Sequence, residues 1–227
     1  MVIKIDIDYD KNHNLKIDIP LVLLQDRHTM ENIIKESLSK SITYPEYAAL
    51  LQDLAKNNDT TGTNKAENLV EYTKLNARRM KRWDKTLKVN DAVKEQIEKI
   101  DKKITWLVLT ESWCGDAAHV VPVMQKVAEI NENIKVQVVL RDENEELMNN
   151  YLTNGGKSIP KLIMVDDASG KVINTFGPRP SEATQLVNDY KEKYGMLTPE
   201  FKEDLQRWYN KDKGQNAIND LVSLLHV

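Results

Sequence analysis

The chain has 227 residues, 41% of them hydrophobic and 30% charged, with a net charge of −3 and a single cysteine. A lone cysteine rules out any intrachain disulfide, and with it a disulfide-stapled secreted scaffold. The mild acidity speaks against a surface given over to nucleic acid, and no apolar run approaches the ~20 residues that a membrane-crossing helix needs.

The length suits one domain with extensions or two small ones, and suffices for a core without staples. Residues 1–28 read as an extended segment. Ile3, Ile5, Ile7 and Tyr9 alternate with Lys4, Asp6 and Asp8, and the alternation resumes at Leu15, Ile17 and Ile19, as in a β-hairpin. Its acidic positions lack the glycine and glutamate spacing of a calcium loop, so no calcium site is expected. The opening Met-Val-Ile-Lys-Ile-Asp-Ile-Asp puts acids where a secretory leader needs an unbroken apolar stretch, so a cytoplasmic location is expected.

Residues 29–102 read as helical. Met30, Ile33, Ile34 and Leu38 make one apolar stripe. Thr43, Pro45 and Glu46 spell a capping box ahead of a second helix that carries Tyr47, Leu50, Leu51 and Leu54. After the turn formers 57–64, a third helix places Leu69, Tyr72, Leu75, Met80, Trp83 and Leu87 on a face expected to be buried. It also carries Arg78, Arg79, Lys81, Arg82 and Lys85. That run reads as a solvated face, the alternative being an anion or nucleic-acid patch. A short helix at 92–100 leads onward.

From Ile104 the pattern becomes α/β. Ile104–Thr110 is a short apolar strand of the kind buried on both faces. A helix follows Cys114, then a strand at 134–140 and a helix at 143–152 that stops at Asn154-Gly155-Gly156. Strands 161–165 and 171–176 form a hairpin, and Ser181 is expected to cap a closing helix to Tyr194. Residues 195–227 add helix, with Phe201, Leu205, Trp208 and Tyr209 and then Ile218, Leu221, Val222 and Leu225 at helical spacing.

Within this layout Trp113-Cys114-Gly115-Asp116-Ala117 follows a buried strand and opens a helix. Pro122 lies eight residues after the cysteine, and Ser158-Ile159-Pro160 precedes the hairpin. Residues 103–194 thereby resemble the thioredoxin family, whose motif is Trp-Cys-Gly-Pro-Cys with a cis-proline ahead of the hairpin. Trp113, Cys114, Gly115, Pro122 and Pro160 match; Asp116 stands for the motif proline and Ala117 for the second cysteine. The whole chain is also similar to bacterial members that carry the same five-residue motif behind a helical region. The resemblance implies a thioredoxin-like fold, a mixed central sheet with helices on both faces, flanked by helical N- and C-terminal extensions (29–102 and 195–227).

The residues themselves define the expected chemistry. A cysteine at a helix N-terminus meets unpaired N–H groups and the positive end of the helix dipole, which lower its pKa. Asp116 opposes that, and a protonated His119 is the candidate electrostatic partner that would offset it. Cys114 is therefore expected to be accessible and modestly activated, with Trp113 as an apolar platform, Gly115 allowing the tight turn, and the backbone of Ile159 beside Pro160 open to an extended substrate. Ala117 cannot resolve a mixed disulfide, so an external thiol must. The expectation is a monothiol thiol-disulfide oxidoreductase whose partners are protein or small-molecule thiols and disulfides, without cofactor or metal and without a nucleic-acid or membrane partner. The alternative is a redox-inactive binding module. An iron–sulfur carrier would need a homodimer plus small thiols, because one cysteine supplies half the usual ligands.

Overall fold

The computed structural model of the chain describes the backbone of residues 7–9, 15–17 and 21–225, and side chains from residue 30 to residue 225. Strands β1 (Ile7–Tyr9) and β2 (Leu15–Ile17) pair antiparallel, with Ile7 opposite Ile17. The turn expected at 10–14 lies outside the described residues. Helix α1 (Leu21–Ser39) starts well before residue 29, directly after Pro20 in the sequence, a residue favoured at helix starts.

The N-terminal region does more than lay down helices. Ile42–Thr43 forms a strand, β3, that joins the main sheet. Thr43 then caps α2 (Tyr44–Lys56) through the expected box. Its hydroxyl accepts from the Glu46 amide while the Glu46 carboxylate accepts from the Thr43 amide, worth about 1 kcal/mol. Helix α3 (Glu67–Thr86) and the short α4 (Asp91–Glu98) follow.

The α/β portion runs β4 (Ile104–Thr110), α5 (Ala117–Ala128), β5 (Ile134–Leu140), a short 3₁₀ turn at Arg141–Glu143, α6 (Glu145–Asn150), β6 (Lys161–Asp166), β7 (Val172–Phe176) and α7 (Ser181–Tyr194). The five-stranded sheet has the order β3-β5-β4-β6-β7. Only the β4–β5 pair is parallel, as a strand–helix–strand crossover through α5 requires. The closing helices are α8 (Pro199–Asp212), capped by Thr198 Oγ1 accepting from the Phe201 amide at 3.3 Å, and α9 (Gln215–Leu225).

Strand β4 is the centre of the molecule. Trp106, Leu107, Val108 and Leu109 are all fully buried, on both faces of the sheet, and side chains of this size contribute about 1.5–3 kcal/mol each on burial. Helix α5 is apolar nearly all round because it is covered nearly all round, by α3 on one side and α9 on another. Met80 and Trp83 of α3, Leu205 and Tyr209 of α8, and Ile218 and Leu221 of α9 join the same core. The helical flanks are thus built into the hydrophobic interior. No described helix is long and apolar enough to cross a membrane.

Two further details depart from expectation. Tyr72 is exposed, because the buried face of α3 is instead Thr73, Asn76, Ala77, Met80 and Trp83. The first two turn toward a polar cluster that helical apolar periodicity does not register. Nor does Ser181 cap α7. Pro180 occupies the cap position, and the Ser181 hydroxyl donates to Asp220 at 2.8 Å on α9.

Candidate functional site

The loop from β4 to α5 is held by hydroxyls. Ser112 Oγ accepts the Thr61 amide at 2.9 Å and lies 2.9 Å from Thr73 Oγ1 and 3.0 Å from Thr60 Oγ1. The Ser112 amide donates back to Thr61 Oγ1 at 2.9 Å, and Asn76 Nδ2 donates to the Ser112 carbonyl at 2.8 Å. All five residues are buried, so each hydroxyl needs a partner here, and each finds one. The preceding residue, Glu111, is buried as well. Its Oε1 accepts the Asp142 amide at 2.9 Å, and burial pushes its carboxyl above the usual range.

This frame presents Cys114 at the mouth of α5. Its Sγ–H donates to the carbonyl of Ile159 at 3.2 Å, and the Ala117 amide, at the start of the helix, points at Sγ from 3.5 Å. The peptide bond between Ile159 and Pro160 is cis. Gly177, at φ +108°, closes the far side of the groove so tightly that a Cβ there would lie 2.2 Å from the Pro160 carbonyl oxygen. Trp113 is half-buried beneath the Arg141 guanidinium, 5.0 Å from its ring centre. Ile159, Pro160 and Ala117 are buried around the thiol.

The electrostatics differ from the sequence expectation. Cys114 is only 8% exposed. Burial first, and the charge of Asp116 second, push its thiol up to about 12, against the pull of the helix amides and Arg179. The helix terminus is present as expected, but desolvation outweighs it. Cys114 is thus a protonated donor at neutral pH.

Nor does His119 supply a positive charge. Trp83 Nε1 donates to its Nδ1 at 2.9 Å, its Nε2 faces Gln206 Oε1 at 2.7 Å, and Tyr209 stacks on it at 4.4 Å. Burial drives it down to about 3. A neutral imidazole inside the α3–α5–α8 junction is a packing group, and it faces away from the role of electrostatic partner to Cys114. The cation that does meet Asp116 is Arg179, just after the Gly177 turn. It pairs with Asp116 Oδ2 at 2.7 Å, while the Tyr209 hydroxyl donates to Oδ1 at 2.9 Å. Burial still raises the Asp116 carboxyl against these two partners.

Arg79, Gln206 and Tyr209 also border the motif, and they reach it from both extensions. The sequence marks Arg79 only as one of a basic run and Tyr209 only as an apolar-stripe residue of the C-terminal helices, and it carries no signal for Gln206 or Arg179. Among the described residues no group of three or more His, Cys, Asp or Glu side chains is arranged to hold a metal.

Comparison with known proteins agrees with this architecture. Residues 62–191, more than half of the chain, match the sequence model of the thioredoxin family. The chain belongs to the thioredoxin family. The match begins in the loop ahead of α3, so the helix that frames Ser112 lies within it. Among curated proteins no relative matches. A crystal structure of a protein of unknown function from Pseudomonas aeruginosa, PA1234, is similar in fold, with a TM-score of 0.51 and 16% identity over 81% of this chain and 97% of that one. An HIV epitope-scaffold aligns with a TM-score of 0.48 and 18% identity, covering 81% of this chain and 98% of its own.

Proposed function

We propose that the chain is a monothiol member of the thioredoxin family that takes an extended cysteine-bearing chain or a small disulfide into the groove at Ile159–Pro160 and exchanges it at Cys114. The observation that carries this is the 3.2 Å contact between Cys114 Sγ and the Ile159 carbonyl. It sets the sulfur against backbone ahead of Pro160 to which an extended guest could pair. A guest amide that donates to the Ile159 carbonyl competes with the thiol for that acceptor, so occupancy of the groove and release of the thiol proton are coupled.

The reaction balances without a second protein cysteine. The Cys114 thiolate attacks one sulfur of a disulfide, a new S–S bond forms as the old one breaks, and the departing thiolate takes up a proton. An external thiolate later attacks the mixed disulfide and returns Cys114 to the thiol. Ala117 accounts for the need for that external thiol. The high thiol pKa keeps the resting protein slow, so capture depends on a guest or on alkaline pH.

A second reading, a redox-inactive binding module, has its own support in the same raised thiol pKa and slight exposure. The two part on one experiment. Incubation with a cysteine-containing peptide disulfide, followed by mass spectrometry, gives an adduct on the wild type and none on Cys114→Ser if exchange is the activity. Peptide binding that is retained in Cys114→Ser, with no adduct on the wild type at any pH, would establish the binding module instead.

A further inference from the structure

Apart from its neighbours in the chain, the motif glycine is bordered within 4 Å by two hydrogen-bond donors. A Cβ placed on Gly115 would lie 3.9 Å from Arg79 Nη1 and 3.9 Å from Gln206 Nε2. The amide orientation of Gln206 follows from its neighbours. The indole of Trp83 is a donor only, so Nδ1 of His119 must be the acceptor and Nε2 must carry the proton. Gln206 Oε1 then accepts that proton at 2.7 Å, and the Gln206 amino group is left facing Gly115. Among the described residues that amino group donates to nothing else.

Arg79 is held in the same way. Its Nη1 donates to Asn76 Oδ1 at 3.1 Å, and Asn76 is itself tied to the Ser112 carbonyl. Among the described residues Arg79 forms no ion pair at contact distance; it is half-buried, burial and neighbouring Arg82 and Arg78 oppose its charge, and Asp116 favours it only from beyond contact. The nearby carboxylate, Asp116, is already committed to Arg179 and Tyr209. Half-buried cationic donors without an anion are costly, and they are satisfied by a ligand that brings one.

We infer that Arg79 and Gln206 form an anion subsite beside Gly115, and that the substrates of Cys114 are thiols or disulfides carrying a carboxylate close to the sulfur. This rests on the exchange reaction proposed above and adds its specificity. It also gives the two extensions a shared task, because α3 supplies Arg79, α8 supplies Gln206, and the α/β portion alone contains neither.

The test compares two small aromatic disulfides at one pH: 5,5′-dithiobis(2-nitrobenzoate), which carries two carboxylates, and neutral 4,4′-dithiodipyridine. The ratio of their rates with Cys114 cancels any change in thiolate fraction. The wild type should favour the dianion, and added salt should shrink that preference. In Arg79→Gln and in Gln206→Leu the ratio should fall, by about tenfold for the arginine, and Arg79→Lys should restore part of it. A ratio that is unchanged in both variants overturns the subsite while leaving exchange intact. If neither probe reacts, the exchange reading fails instead. The subsite is then decided by an NMR titration with 3,3′-thiodipropionate, an unreactive dianion. Shifts at the Trp113 indole that disappear in Arg79→Gln support it, and shifts equal in both proteins, or none, overturn it.

Discussion

The indole N–H of Trp83 points at Nδ1 of His119 across 2.9 Å, inside a core whose burial keeps the imidazole neutral. A proton at Nδ1 would set two donors against each other inside the core. The folded chain therefore declines a second proton until about pH 3, whereas the unfolded chain accepts it below the ordinary value of 6.5. The stability held by neutral His119 is complete above pH 6.5 and drains as the pH falls toward 3. Between pH 7 and pH 4 the loss should be about 3 kcal/mol. Urea unfolding at both pH values checks it, because His119→Leu should lose that much less on acidification than the wild type. Equal losses would mean that His119 ionises in the native state.

The thiol titrates in the opposite sense. Its folded pKa is raised from 9.0 to about 12, so native stability is full below 9 and falls as the pH climbs toward 12, where the unfolded thiol ionises first. Alkylation of Cys114 by iodoacetamide should keep accelerating beyond about pH 10. In Asp116→Asn, which removes the nearest negative charge, the inflection should move down. A rate that levels off near pH 9 would contradict the burial argument.

Ser112 has the densest set of hydroxyl partners in the molecule's polar interior. Ser112→Ala strands the Thr61 amide and leaves Thr60 and Thr73 competing for each other. The expected cost is at least about 2 kcal/mol in denaturant unfolding. Cys114 should also become easier to alkylate, since the loop that buries it is anchored there. A loss below about 0.5 kcal/mol would place Ser112 among ordinary surface-like positions.

Gly177 tolerates no side chain. A methyl group would meet the Pro160 carbonyl oxygen at 2.2 Å, on a backbone at φ +108° that L-residues avoid. Gly177→Ala should cost about 3 kcal/mol or more, combining backbone strain and overlap. Gly170→Ala, also at positive φ but with open space around it, should cost only the backbone part. Thermal unfolding of the pair separates the two contributions.

Restoring the second cysteine is the direct test of the site's geometry. Ala117 sits one helical turn from Cys114, with its amide 3.5 Å from the sulfur. Ala117→Cys should oxidise to an intramolecular disulfide, read as the loss of two hydrogens by mass spectrometry. A variant that stays reduced in air and oxidised glutathione would show that the two side chains diverge.

What the sequence made legible was local or motif-bound. Thr43 and Glu46 announce their cap because both partners lie within one turn, and the Ile104–Thr110 strand announces itself by unbroken apolarity. Trp113, Cys114 and Pro160 are recognisable together because a family pattern links distant positions. The environment of the thiol was not legible in the same way. Whether Cys114 is activated depends on how deeply the folded chain buries it, and burial of His119 among Trp83 and Gln206, which lie 36 and 87 residues away along the chain, decides whether it is charged. Tyr72 misled because a helical stripe counts apolar residues only, whereas Thr73 and Asn76 are drawn inward by hydrogen bonds. β3 is two residues long, too short for any periodicity to show.

That short strand has a bearing on the molecule's behaviour in company. Ile42 and Thr43 pair with Val138 and Gln137 along the outer side of β5, and the Ser41 hydroxyl adds a bond to the Gln137 amide oxygen at 2.9 Å. An apolar strand with a bare flank solicits pairing from other copies, which is how sheets seed aggregates. The segment that carries Ile42 and Thr43 therefore acts as a guard rail on that edge. A version trimmed of it would present β5 unprotected, and its failing would be seen in the test tube as clumping before any loss of thiol chemistry was measured.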